Sequence, residues 1–180
     1  MIALWAGLAC TFPLDVGDAC GLVEVSEVLT ANVAVEPPLV GDSDFFEVHN
    51  QDPDAEVNLR GYRFHGNQSR QPSYEVEGDV WVPPDAYQVF LATVYCTFED
   101  GACVDDEGVI TTQFDLNNDG DTVYMWGPSG QLCAEVIVPD QHVDHSWQRD
   151  PSAPDVWCDA SVPTPGEANE PCFCEVSDGC

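Results

Sequence analysis

Lysine is absent from this 180-residue chain, and its four basic residues are all arginines (Arg60, Arg63, Arg70, Arg149). Set against 33 acidic residues, they leave a formal net charge of −29. A nucleic-acid partner requires a basic footprint to displace phosphate counterions, so that class is excluded. Attraction to an anionic membrane surface fails for the same reason. Long apolar runs are missing too: the opening stretch MIALWAGLAC falls well short of the roughly 20 residues that a spanning helix needs. No C-x2-C pair and no finger-spaced histidine pair occurs, which removes a structural zinc module. Helical periodicity is sustained nowhere over three turns. The only serine in a Gly-rich context, Ser129 in GPSGQ, does not stand in the G-x-S-x-G elbow of an esterase.

What is present is acid, cysteine and β-forming sequence. The length suits one domain with short tails, and a 44% hydrophobic content is enough for a core. The acidity fits a soluble surface kept apart by self-repulsion, or a surface that collects divalent cations on carboxylate oxygens. Nine cysteines (Cys10, Cys20, Cys96, Cys103, Cys133, Cys158, Cys172, Cys174, Cys180) point to an oxidising compartment. Nine is odd, so one must be explained. Cys10 closes an apolar stretch that is similar to the end of a bacterial lipoprotein signal, with Gly7 where such signals carry leucine and no basic n-region. Lipid on Cys10 would leave eight cysteines to pair and would attach the chain to a membrane. A frayed apolar terminus is the plainer alternative.

The middle of the chain reads as strands. In DFFEVHN (44–50), Phe46 and Val48 share one face while Phe45, Glu47 and His49 share the other. LVEVSEVLT (22–30), EVNLRGYRF (56–64) and AYQVFLATVYC (86–96) follow, the last apolar on both faces as a central strand is. VITTQF, DTVYMW and QLCAEVIV add three more, and NQDPDA, VPPDA, NNDGD and GPSGQ supply turns between them. Strands at this spacing predict an all-β fold, an immunoglobulin-like antiparallel β-sandwich with a disulfide-rich C-terminal tail. The stretch from Pro151 onward, rich in Pro, Ser and Gly, is expected to run irregularly over the surface, pinned by its cysteines. Connectivity cannot be read from sequence. The favoured pairs are Cys96 with Cys103 across TFEDGA, Cys133 with Cys158, and Cys20 with one of Cys172, Cys174 and Cys180, the other two joining each other.

The order of VEVSEVL (23–29), DSDFFEVHN (42–50), VNLRGYRF (57–64), VWVPPDAYQVF (80–90) and FDLNNDGDTVYMWGPSGQLCAEV (114–136) resembles the lamin tail domain. SWQRD (146–150) and PTPGEAN (163–169) complete the likeness. It divides the chain into a signal or lipobox remnant (1–10), a linker (11–21), the sandwich (22–169) and a Cys-rich tail (170–180). Tyr62 stands where the family often carries Trp, PPDAY replaces a glycine-bearing turn, and the cysteine-rich end is an addition. The resemblance implies a fold and no catalytic residues.

DLNNDGDTVY (115–124) imitates the first half of a calcium loop, with Asp115, Asn117 and Asp119 alternating before Gly120. The twelfth position of an EF-hand requires Glu and holds Trp126, and the flanks are β-like, so the EF-hand reading fails. A turn is the main expectation. A weaker calcium site on Asp115, Asn117, Asp119 and Asp121, with affinity of about 0.1–1 mM, is the alternative. His142 and His145, within DQHVDHSW, could bind a metal but suit a solvated loop better. The chain is therefore expected to be a non-catalytic binding or structural module. It would be exported, either secreted or held at the cell surface as a lipoprotein, with an unidentified protein or glycan partner. A calcium-dependent adhesion module and an accessory domain of a secreted hydrolase system are the alternatives. Trp81, Trp126 and Trp147 are candidate contact aromatics.

Overall fold

A computed structural model describes residues 20–35, 43–67, 73–93 and 110–172. These residues form twelve strands and no α-helix: β1 (Val23–Leu29), β2 (Asp44–Asn50), β3 (Val57–Asn58), β4 (Arg63–His65), β5 (Tyr74–Glu75), β6 (Trp81–Val82), β7 (Tyr87–Ala92), β8 (Ile110–Thr111), β9 (Asp121–Trp126), β10 (Leu132–Val138), β11 (Ser146–Asp150) and β12 (Ala153–Ala160). A six-stranded sheet runs β12-β11-β1-β2-β7-β8, a four-stranded sheet runs β10-β9-β4-β5, and β3 pairs with β6. The pairings are antiparallel except for β7 with β8, which is parallel and departs from the all-antiparallel expectation. No helix among the described residues is long and apolar enough to cross a membrane.

The two larger sheets enclose one core. Val25, Phe46, Val48 and Phe90 from the larger sheet meet Phe64, Val123, Met125 and Val136 from the smaller, all buried. Phe46 lies 5.0 Å from Phe64 and 5.1 Å from Phe90, and Phe64 lies 4.8 Å from Phe90, distances at which aromatic pairs attract. The alternation read from DFFEVHN holds: Phe46 and Val48 face this core, whereas Phe45 joins Leu29, Val89 and Leu91 in a second cluster on the outer face. The larger sheet is thus buried on both sides, as AYQVFLA, apolar at successive positions, had suggested.

Three expectations are corrected. EVNLRGYRF is not one strand. Gly61, at φ +81°, donates its N–H to Val76 O at 2.8 Å and breaks it into β3 and β4, which belong to different sheets. The C-terminal stretch is not irregular from Pro151, because β12 pairs along most of its length with β11 before the chain leaves the sheet at Ser161. The favoured disulfides also differ. Cys133 pairs with Cys20 rather than Cys158, and Cys158 pairs with Cys172, so Cys20 does not reach the tail. Distance along the chain hid this: β1 and β10 are far apart in sequence but belong to facing sheets, so Cys20, three residues before β1, lies beside Cys133 in β10 (Cα–Cα 4.9 Å). Closing a loop of 113 residues stabilises by about 4–5 kcal/mol in the chain-entropy model. Cys10, Cys96, Cys103, Cys174 and Cys180 lie outside the described residues.

Candidate functional site on the outer face of the large sheet

The outer face is polar where β1 meets β2. The register runs Val25↔Val48 and then Glu27↔Glu47, so Ser26 is an extra residue in β1. Such a bulge re-aims neighbouring side chains. Here it turns the Ser26 hydroxyl toward Glu47, to which it donates at 2.7 Å, and sets Glu27 directly across from Glu47. Both glutamates are completely buried. Two carboxyls at opposed cross-strand positions repel when both are charged, and neither has water to screen it.

A strap formed by residues 161–172 covers them. Thr164 N–H donates to both Glu27 oxygens (3.1 and 3.2 Å), and Gly166 N–H donates to Glu47 Oε2 at 2.6 Å. Ser146 on β11 donates its hydroxyl to Glu27 Oε1. Further along, Asn169 donates to Ser26 O and Arg149 O, both at 2.9 Å, and the Cys158–Cys172 bond closes the loop. Burial raises the Glu27 carboxyl, against the lowering effect of Ser146 and Thr164. Burial pushes Glu47 up to about 8, with the hydrogen bond from Ser26 lowering it and the neighbouring Glu27 charge raising it.

Beside the strap a cleft of about 490 Å³ opens between β1, β2, β7 and the β11–β12 hairpin. His49 lies in its wall, stacked on Tyr87 at 4.4 Å. Its Nδ1 meets Glu24 at 3.3 Å and its Nε2 meets Asp85 at 3.1 Å. Partial burial lowers the His49 pKa, but the two carboxylates outweigh it and hold the ring above its ordinary value. Asp85 reaches this position from a left-handed backbone (φ 53°) at the end of the VPPDA turn, a conformation aspartate tolerates. Glu24 also takes Arg149 Nε at 3.2 Å, and the guanidinium sits 4.8 Å from the Trp157 ring centre. Burial, with help from Glu47, Asp85 and Glu24, pushes the Tyr87 hydroxyl up to about 12.

The aspartates of the calcium-like stretch are arranged differently. Asp121 is buried and turned inward. Its Oδ1 accepts from Asn67 N at 2.7 Å and from Thr122 N, and its Oδ2 accepts from Asn117 N at 3.0 Å. Asn117 Oδ1 accepts from Asp119 N, and Gly120 (φ +105°) closes the turn through its N–H to Asn117 O. These oxygens face backbone N–H donors, the polarity that binds an anion. Asp115 and Asp119 belong to the same turn; Asp119 and Asn117 are exposed. Among the described residues no group of three or more His, Cys, Asp or Glu could share a metal ion. His142 and His145 sit edge to face at 5.3 Å, and His145 Nδ1 pairs with Asp159 at 2.8 Å. Of the candidate aromatics Trp81 is 54% exposed, whereas Trp147 packs against the core and Trp126 is half-buried.

Sequence reasoning missed Glu24, Glu27 and Asp85, and placed Glu47 only on a face. One signal was available: in VEVSEVL a second charged residue, Glu27, lies inside a strand otherwise apolar enough to be buried on both sides. No protein-family model matches the chain, and no curated protein matches it.

Proposed function

We propose that this chain is a non-catalytic binding and structural module that works outside the cytoplasm, an immunoglobulin-like sandwich of the lamin-tail type. The outer-face cleft is its ligand-contacting surface. The observation that carries the reading is the state of His49 and Arg149 in the cleft wall: both are already committed. A general base needs a nitrogen free to take a proton from substrate. Both ring nitrogens of His49 are held by carboxylates, and Arg149 is occupied by Glu24 and by the carbonyls of Val25 and Pro154. What remains open to a partner is a rigid wall of charge-paired and aromatic surface, which suits recognition. The two disulfides support the extracytoplasmic assignment, since such bonds persist where thiols are not kept reduced. Lipid on Cys10 remains part of this reading as the means of display.

The test is titration of the isotope-labelled chain with soluble cell-envelope glycans and with peptides, read by amide shifts. Shift changes centred on His49, Tyr87 and Asp85, and lost in Tyr87→Ala, are expected. Turnover of an ester, phosphodiester or glycan panel by the purified chain, or binding that leaves the cleft untouched, would contradict the proposal.

A further inference from the structure

We propose that Glu27 and Glu47 form a proton-dependent latch that fastens the strap 161–172 over the outer face, closed while the pair holds at least one proton and released when both carboxyls are ionised.

The geometry supports this in three ways. First, the two carboxyls are opposed across the central β1–β2 pair and fully buried, and none of the ion pairs among the described residues includes either of them. A buried like-charge pair without a cation is unstable unless one member is neutral. Second, a proton has somewhere to sit. Ser26 Oγ lies 2.7 Å from Glu47 Oε1 and 3.3 Å from the Glu47 carbonyl. A protonated Oε1 can donate to Ser26, whose own hydroxyl then turns to the carbonyl. On the other side Gln148, buried on β11 and opposite Glu27 in the register, leaves Oε1 without a donor while its Nε2 is fixed on Glu170 O at 2.6 Å. A neutral Glu27 carboxyl would be a donor on the same face as that orphaned acceptor. Third, the strap is the cover that can give way. The glutamates sit on β1 and β2, which are paired on both sides within the sheet, so among the described residues Thr164 and Gly166 are the cover that must move for water to reach the carboxyls.

Other groups on this face do not supply the missing counter-charge. Tyr87 on β7 stays neutral, and Glu24, His49, Asp85 and Arg149 are paired among themselves. The strap brings only Glu167 and Glu170, both exposed acids. On release the proton passes to solvent base, leaving two carboxylates to be hydrated. The strap remains tethered by the Cys158–Cys172 bond and by Asn169, so the opening is confined to its first half. Ala168 and Asn169, which line the cleft, belong to the half that stays tethered, so the cleft wall is kept. The test below needs no ligand, so its outcome is separate from that of the binding reading.

Hydrogen exchange of the full, oxidised chain, expressed as protection relative to the unstructured peptide at each pH, decides the matter. Protection at Thr164 and Gly166 is expected to fall by about tenfold from about pH 6 to pH 9.5, and to stay well below that of β2 and β9 at each pH, because the strap opens without the sheets unfolding. In Glu47→Gln, which keeps the shape and removes one ionisation, strap protection should stay within about twofold over the same range. Strap protection that is flat with pH in the unsubstituted chain overturns the latch, as does strap protection equal to that of β2 and β9 at each pH, which would be exchange by global unfolding alone. If Glu47→Gln does not fold, Glu27→Gln takes its place, and the unsubstituted profile is decisive by itself.

Discussion

Two acid-rich places in this molecule invite opposite readings. DLNNDGD has the look of a site, with carboxylates at alternate positions ahead of a glycine. Glu27 and Glu47 look like ordinary strand residues. In the folded chain the roles are exchanged. Asp121 is a turn staple whose oxygens are taken by backbone N–H groups. The two glutamates meet under a strap, with no ion pair to either among the described residues, and burial moves both away from the ordinary carboxylate range. The lesson is that density of acids along the chain says little about their chemistry. Burial and cross-strand register decide it.

Four experiments sharpen or break this contrast. The largest effect should be on stability against pH. Both glutamates have raised folded pKa values, so the folded state holds more protons than the unfolded state above about pH 4.5. The stability they contribute is complete below that value and is lost as pH rises through their raised values, about 8 for Glu47. Denaturant titrations at pH 5 and 9 should differ by on the order of 4 kcal/mol. His49, also raised, acts in the same direction, so Glu47→Gln is needed to isolate the carboxyl contribution. A profile as steep in Glu47→Gln as in the parent would break the account.

Next in size is Asp121→Ala, which strips the acceptor from three backbone donors at once. It should cost about 1–3 kcal/mol in denaturant unfolding at pH 7, and a loss under about 0.5 kcal/mol would mean that the turn does not depend on the staple. A smaller effect, and one of changing sign, is expected for Glu47→Gln itself. At pH 5 it should be destabilised by about 1 kcal/mol, because an amide cannot reproduce every bond of the neutral acid. At pH 9 it should be the more stable protein, since it carries one buried charge fewer. The smallest expected effect is that of calcium on the aspartate turn. A site with affinity near 1 mM would add about 1 kcal/mol at 5 mM and raise the melting temperature by several degrees. A shift below about 1 °C is expected.

Much of the fold could be read from periodicity. Phe46 and Val48 alternate with Phe45, Glu47 and His49, and the sheet obeys that alternation. The same rule failed at Ser26, where a bulge places an extra residue that strict period two cannot anticipate. It failed at Gly61, where a left-handed turn splits an apolar run between two sheets. APDVWCDA was hidden by its proline and flanking serines, although it forms the edge strand on which proline is tolerated. The disulfides and the glutamate pair share one cause of illegibility. Each depends on which distant segments become neighbours, Cys20 with Cys133 and Glu27 with Glu47, and a one-residue change of register would undo the second.

The most direct test of the contrast is the carbon-13 shift of the glutamate side-chain carboxyls, followed from pH 3 to 10 in the isotope-labelled chain. The account predicts that the pair is not fully ionised at pH 7, with Glu47 changing near pH 8. Both glutamates titrating with the ordinary carboxylates near 4.5 would contradict it, and the strap would then be a plain hydrogen-bonded cover over two charged residues.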